Sequence, residues 1–377
     1  MLHRSTSLTA IATWLLSVLL PSPGVTHQPQ YAQPASSAAA SLNSTSLQSC
    51  HKINLKSPCV CGEIEVTCVN AQFIDSDVFL LVNTATFKYL TRVTFQGNNF
   101  HTLPAHVFGV GPGMTHSRLT MLNLSSNYIV HLDTRALSGV PKLRTLSLED
   151  NEIHLTGNET RFFTYTPHLR QLLLRRAFNP NHQPNLTDNL DAMFKAARLH
   201  ELTYLDLSYN GLTSVPYQFG CYFPRLLKLD LSLNRLETLL LNGSCFARLD
   251  TLNVRFNRFH TMGLELRLTA SKLPDYSLLA ANNRYRCDCN AHAYISWMRA
   301  TKKIQDRDKI RCYRASPDVY DNFLMAKVPV EKLDCSKNLT SSGAPVGWTG
   351  AGDYGELAGR LWCTAVYGVV SYLWWML

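Results

Sequence analysis

From Leu90 onward the apolar positions fall into one frame. Leu90, Val93 and Phe95 are followed by Asn98, an LxxLxLxxN spacing. The frame returns at Leu119, Leu122, Leu124, Asn127 and at Leu143, Leu146, Leu148, Asn151. It returns again at Leu169, Leu172, Leu174, with Ala177 in the Asn place. It resumes at Leu202, Leu205, Leu207, Asn210, then Leu226, Leu229, Leu231, Asn234, then Leu249, Leu252, Val254, Asn257. A degenerate last copy holds Leu278, Ala280 and Asn283. The Asn place recurs every 23 to 33 residues, the period of a leucine-rich-repeat array. Each LxL predicts a short strand with its two Leu inward and the flanking residues on the opposite face. The Asn begins the turn out of the strand, where buried backbone groups need partners, and its amide both donates and accepts. One repeat cannot bury its own apolar face, so the copies must stack and the ends must be capped.

The array is interrupted between Ala177 and Leu202. Asn181, His182, Gln183 and Pro184 read as loop. Thr187 or Asp188 then caps a predicted helix with Leu190, Met193, Phe194 and Ala197 on one face. The missing ladder Asn at Ala177 predicts a break in the solenoid. The reading is a first arm over 70–177, a hydrophilic interruption with a helix over 178–201, and a second arm over 202–286.

Cysteines bracket the array. Cys50, Cys59, Cys61 and Cys68 lie upstream, with Ile64 and Val66 alternating as a capping strand, so an N-terminal cap is placed at 50–69. Cys287, Cys289, Cys312 and Cys335 define a C-terminal cap at 287–335. There Asn290 is placed to cap a helix carrying Tyr294, Trp297 and Met298. Cys287, Cys289 and His292 are also zinc-ligand types. Disulfides are favoured in a secreted chain, and no metal is expected. Cys221 and Cys245 each sit eleven residues after their ladder Asn in consecutive repeats. Equivalent positions of adjacent coils are neighbours, so a Cys221–Cys245 bridge is expected. The fold class is an α/β repeat solenoid, a leucine-rich-repeat horseshoe with a parallel concave sheet and disulfide-bonded N- and C-terminal caps.

Both ends read as processing signals. His3 and Arg4 precede an apolar run from Leu8 to Leu20, then Pro21 and Gly24, which reads as a signal peptide over 1–24. Residues 25–49 carry no formal charge and few large apolar groups, a disordered lead-in. Residues 336–352 read as a stalk. The terminal stretch 353–377 reads as a glycosylphosphatidylinositol-attachment signal, with Gly350 as lipid-attachment candidate, or as a short transmembrane helix. Localisation at the plasma membrane through the secretory pathway follows, with the repeats extracellular. The competing reading is a secreted or shed matrix protein.

The 377 residues carry a net charge of +9, are 46% hydrophobic and only 17% charged. That excludes a globally disordered chain and admits an anionic glycan as partner. No GxxxxGK[ST], HExxH or GxSxG occurs, so neither enzyme nor cofactor is expected. A secreted chain has no nucleic-acid partner to meet. Six N-x-[ST] sequons predict glycans at Asn43, Asn123, Asn158, Asn185, Asn242 and Asn338. Asn123, between Leu122 and Leu124, points outward from its strand, so its glycan would shield the first repeats.

The runs "NFHTLPAHVFG", "LTMLNLSSN" and "LPDYSLLAANNRYRCDCNAHAYISWM", with the polar break, resemble the trophoblast glycoprotein family over roughly Cys50 to Cys335. The resemblance implies cell-surface leucine-rich-repeat proteins with two cysteine caps. It implies cap pairings of first with third and second with fourth: Cys50–Cys61, Cys59–Cys68, Cys287–Cys312 and Cys289–Cys335. It also implies a protein ligand or co-receptor of the Wnt pathway, restraint of Wnt/β-catenin signalling, and an influence on cell migration. In this chain the spacing between Cys50 and Cys59 is wider than the usual few residues.

Strand-flanking residues would meet such a partner. Arg170, Arg175, Arg176, Tyr204, Tyr209, Lys228, Arg255 and Phe256 are the candidates, because Tyr, Phe and Arg together are hot-spot chemistry. Leu173, Tyr204, Tyr209 and Phe256 together would make an exposed apolar patch. Tyr313, Arg314 and Tyr320 on the C-terminal cap form the alternative surface.

Overall fold

The computed structural model describes Cys50, Leu55 and residues 58–109, 114–179, 183–246 and 248–335. The readings for 1–24, 25–49, 336–352 and 353–377, with Asn43, Asn338 and Gly350, lie outside the described residues.

Twelve strands are present among the described residues: β1 (Cys59–Cys61), β2 (Glu65–Val69), β3 (Arg92–Gln96), β4 (Thr102–Leu103), β5 (Met121–Asn123), β6 (His131–Leu132), β7 (Thr145–Ser147), β8 (Gln171–Leu173), β9 (Tyr204–Asp206), β10 (Lys228–Asp230), β11 (Thr251–Asn253) and β12 (Leu278–Leu279). Four α-helices join them: α1 (Val78–Leu81), α2 (Leu186–Ala197), α3 (Leu264–Ser271) and α4 (His292–Ala300). All strands except β4 and β6 form one sheet in chain order; β1 pairs antiparallel with β2, and every later neighbour is parallel. The two Leu of each LxL are buried, as Leu122, Leu124, Leu146, Leu148, Leu205 and Leu207 show. The chain is a leucine-rich-repeat solenoid with a disulfide cap at each end.

The Asn ladder holds the rungs together. Asn127 Oδ1 accepts the Asn98 amide at 2.9 Å, and Asn151 Oδ1 accepts those of Asn127 and Ile129 at 3.1 and 3.0 Å. Asn210, Asn234, Asn257 and Asn283 continue the pattern. The residue before each ladder position is left-handed: Gly97, Ser126, Asp150, Arg176, Tyr209, Leu233, Phe256 and Asn282 all have positive φ. The chain must turn sharply there to swing the next amide inward. For a side chain other than Gly that conformation costs about 1 kcal/mol, offset by the ladder bonds it aligns.

The expected break between two arms does not reach the sheet. Gln171, Leu172 and Leu173 pair in register with Tyr204, Leu205 and Asp206 across the insertion. Ala177 cannot donate or accept through its side chain, so Asn210 spans the gap to its backbone. The Ala177 carbonyl takes the Ile153 N–H at 2.9 Å in place of a ladder amide. Gln183 of the insertion adds a further side-chain amide beside it. Its Oε1 accepts Leu155 N–H at 2.8 Å, and its Nε2 donates to the Ile153 and Asn179 carbonyls.

The insertion also adds core on the face opposite the sheet. Leu186, Leu190, Met193, Phe194 and Ala197 of α2 are buried. The Phe194 ring stacks on Phe163 with centroids 5.8 Å apart and meets Phe219 and Phe223 edge-on. The helix begins at Leu186 with Asn185 before it, so Thr187 and Asp188 lie inside its first turn. Asn185 is itself a favoured residue type for the position before a helix, though its side chain makes no capping hydrogen bond, and Leu186 is buried from the first helical position.

In the N-terminal cap, Val66 is buried, whereas Ile64 precedes β2 and is exposed. Only its carbonyl is used, accepting from Thr91 and Arg92. Disulfides join Cys50 to Cys61 and Cys59 to Cys68. In the C-terminal cap they join Cys287 to Cys312 and Cys289 to Cys335. Cys221 and Cys245, on adjacent 3-10 segments opposite the sheet, are bonded with Cα atoms 4.7 Å apart. The last rung ends on Asp306, whose carboxylate accepts the Ala280 and Ala281 amides at 2.9 and 3.0 Å. Asn290 does not cap α4. The residue before the helix is Ala291, and Asp288 accepts the Asn290 amide at the head of a 3-10 turn. The helix buries Tyr294, Ile295 and Met298, with Trp297 partly buried beside them.

Candidate partner-binding face

Register decides which expected residues meet. Gln171, Tyr204, Lys228 and Thr251 form one row across the sheet face, and Leu173, Asp206, Asp230 and Asn253 form the next. Around them lies an open groove of about 390 Å³ bordered by Tyr204, Lys228, Asp230, Asn253 and Arg255. Its polar atoms are linked. The Tyr204 hydroxyl donates to Asp206 at 3.2 Å, Asn253 Nδ2 donates to Asp230 at 2.8 Å, and Arg255 Nε donates to Asn253 Oδ1 at 3.1 Å.

Arg176, Tyr209 and Phe256 are not on the strands. They occupy the left-handed turn just beyond, at the edge of the sheet face. Arg176 Nε lies 2.7 Å from Asp150 Oδ1, and its guanidinium sits 5.8 Å from the Tyr209 ring centroid. The three residues hold the same turn position on their rungs, with Leu233 in that position on the rung between Tyr209 and Phe256. Arg176 and Tyr209, with Glu149 and Arg175, border a second open groove of about 500 Å³.

The expected cluster therefore divides. Tyr204 and Lys228 share the strand face, with Arg255 bordering the same groove just past β11, whereas Arg175, Arg176, Tyr209 and Phe256 stand along the turn edge. Arg170 lies at the strand entry and is engaged there by Glu201, which accepts from its Nε and Nη2 at 3.3 Å and from His168 at 2.9 Å. The exposed apolar patch does not form as read. Tyr209 is exposed, but Leu173, Tyr204 and Phe256 are half-buried, because neighbouring rungs at strand spacing cover part of each side chain.

A line of carboxylates runs through the face: Glu149, Asp206 and Asp230. Burial raises the Glu149 carboxyl above its ordinary range; the Ser147 hydroxyl opposes this, and Asp206 adds to it. Burial also raises Asp206, opposed by the Ser208 hydroxyl and reinforced by Asp230. The Tyr204 phenol is raised, first by burial and then by Asp206. Asp206 and Asp230 are expected on this face from their shared strand position in successive copies. Glu149 is not.

Of the acceptor asparagines, Asn123 is half-buried on the sheet face, its Oδ1 accepting the Ser125 amide at 3.0 Å. Asn158 and Asn185 are exposed at the heads of helical segments opposite the sheet. Asn242 Nδ2 donates to Gln218 at 3.3 Å. On the C-terminal cap, Tyr313 and Arg314 are exposed, and the half-buried Tyr320 packs on Phe323 at 5.9 Å. Among the described residues, no group of three or more His, Cys, Asp or Glu side chains is placed to hold a metal ion. No described helix is long and apolar enough to cross a membrane.

Leucine-rich-repeat family profiles match residues 88–153, 117–176 and 201–222. The trophoblast glycoprotein of Macaca fascicularis is 26% identical over 298 residues, covering 75% of this chain and 68% of that one. The trophoblast glycoprotein of Mus musculus is 25% identical over 327 residues, covering 82% and 74%. The crystal structure of human 5T4 (Wnt-activated inhibitory factor 1, trophoblast glycoprotein) superposes with a TM-score of 0.62 at 24% identity, covering 74% of this chain and 99% of that one.

Proposed function

We propose that this chain, a leucine-rich-repeat protein related to the trophoblast glycoproteins, is a non-enzymatic cell-surface glycoprotein that binds an extracellular protein. By that kinship it would restrain Wnt/β-catenin signalling and cell migration, the human neighbour being titled Wnt-activated inhibitory factor 1. The observation that carries the binding reading is the face from Glu149 to Arg255. It presents Tyr204, Tyr209, Arg175, Lys228 and Arg255 around the buried Asp206 and the half-buried Glu149 and Asp230 on a rigid sheet. Aromatic and arginine side chains held in place lose little entropy on docking. A glycan on Asn123 would cover the earlier rungs of the same face and direct the partner to these later ones.

The test expresses the full chain on cells that carry a Wnt-responsive reporter. Surface expression should lower the reporter, and Tyr209→Ala with Arg255→Ala should relieve that effect at equal surface level. Unchanged inhibition by this variant, with loss after Tyr313→Ala and Arg314→Glu, would move the site to the C-terminal cap. Release of the chain by a phosphatidylinositol-specific phospholipase would support the lipid anchor at Gly350. A chain found only in the medium, without treatment, would favour a secreted matrix protein.

A further inference from the structure

We infer that the turn edge of the last three repeats is a binding site for a sulfated glycan chain. The residue after each ladder Asn is Tyr128 and Glu152 in the early repeats but Arg235, Arg258 and Arg284 in the last three. All three arginines are exposed. Backbone bonds keep them on adjacent rungs: Arg258 N–H donates to the Leu236 carbonyl at 2.8 Å, and Arg286 N–H donates to His260 at 2.9 Å. The His260 ring nitrogen faces the Arg284 carbonyl at 3.3 Å. Stacked rungs are separated by about 4.8 Å, so the fold sets the cations in a row across the rungs.

The cap extends the row. The Tyr313 amide donates to the Tyr285 carbonyl at 2.7 Å, which seats the cap loop against the last repeat. Arg284 and Arg314 lie 5.9 and 5.5 Å from the Tyr313 ring centroid. None of Arg235, Arg258, Arg284 and Arg314 forms a salt bridge among the described residues. Glu237, two residues after Arg235, is exposed and does not pair with it. Arg92, Arg170 and Arg176 are each held by a carboxylate, and the arginines without one elsewhere, such as Arg144 and Arg225, do not stand in runs of three on successive rungs at one repeat position.

The geometry points to an extended polyanion over a protein. Protein interfaces centre on a desolvated apolar anchor, and this row has none beside the half-covered Tyr313. Its donors instead repeat at rung spacing, and each guanidinium fork can engage two oxygens of one anionic group. A disulfide-linked chain belongs to an oxidising compartment, where the abundant linear polyanions are sulfated glycans and not nucleic acids. The net charge of +9 would favour encounter with such a chain. This inference rests on the solenoid alone and does not depend on the Wnt reading.

The test applies the full chain to immobilised heparin and to chemically desulfated heparin over a range of salt. Arg235→Ser, Arg258→Ser and Arg284→Ser are combined in one variant. Lys142→Ser, Arg144→Ser and Arg225→Ser, all exposed, form a control with the same change of charge. The unsubstituted chain should bind heparin and not its desulfated form. The slope of log affinity against log salt should fall by roughly one for each row arginine removed. The control should keep most of its affinity, and replacing the same three arginines by Lys should restore part of what Ser removes. Thermal unfolding of each variant is read alongside, and the Lys variant tests the site if the Ser variant unfolds. Equal losses in the row and control variants, or equal binding to desulfated heparin, would overturn the proposal.

Discussion

Asn210 Oδ1 accepts the main-chain N–H groups of Ala177 and Phe178 at 3.0 and 3.1 Å, across an insertion that separates them by more than thirty residues. Its Nδ2 donates to the Leu174 and Leu207 carbonyls at 2.8 and 3.0 Å. One fully buried side chain thus joins the rungs on either side of the insertion.

Asn210→Ala should therefore be among the most damaging single changes on the polar side of the ladder. It leaves two buried N–H groups without their acceptor, each worth about 1–3 kcal/mol. The melting temperature should fall more than for Asn283→Ala, whose site is only partly buried. Equal shifts for the two would show that the bridge over the insertion contributes nothing special.

Removing the Cys221–Cys245 bond opens a loop with a sequence separation of 24 residues. On the chain-entropy account that is worth about 3 kcal/mol. The double change Cys221→Ser and Cys245→Ser should lower the thermal midpoint and leave partner binding intact, because the bond lies opposite the sheet. A non-reducing peptide map should show the two peptides linked in the unsubstituted chain.

Arg176 and Asp150 form an exposed pair, and such pairs contribute only about 0.2–1 kcal/mol. Asp150→Ala should leave stability within that range. Its effect should be on binding, because it frees Arg176 from its partner. Tyr209→Ala should weaken protein binding by about 1–3 kcal/mol if the turn edge is the hot spot. Arg175→Glu with Arg176→Glu should mainly slow association and reduce its salt dependence, as read by surface-binding kinetics.

Glu149 and Asp206 should make the chain less stable as pH rises. Their folded carboxyl groups hold protons more tightly than unfolded ones. The unfolded state then loses its protons first, and stability falls from the ordinary carboxylate range near pH 4 up through the raised folded values. Glu149→Gln should flatten this fall, as measured by unfolding between about pH 4 and pH 7. An unchanged pH profile would show that the burial does not penalise the charge.

Glycosidase peptide mapping should find Asn158 and Asn185 occupied, since both are exposed beside helical segments. Asn123 should be occupied as well for the shielding argument to hold. A bare Asn123 would remove the reason for assigning the partner to the later rungs.

The repeat frame and the strand positions were legible in the sequence. Both depend on local spacing: Leu at alternate positions makes a strand face, and a fixed return of LxLxxN makes the strands stack in parallel. The inward set Leu122, Leu124, Leu205 and Leu207 needed nothing further. Only the tertiary structure decided what happens around Ala177. Its backbone N–H bonds to Asn210 and its carbonyl accepts from Ile153, while Gln183 ties Ile153, Leu155 and Asn179 together, so an irregular spacing read as a break leaves the sheet continuous. The start of α2 at Leu186 was not legible either, because Asn185, Thr187 and Asp188 are all capping types and only the fold shows Leu186 buried in the first turn. The binding candidates lie at exposed or half-exposed positions, but their grouping was not legible. A single left-handed residue per rung turns Arg176, Tyr209 and Phe256 off the strand face, and it does so even before Ala177, which carries no ladder amide, so the turn belongs to the rung and not to the side chain at that position.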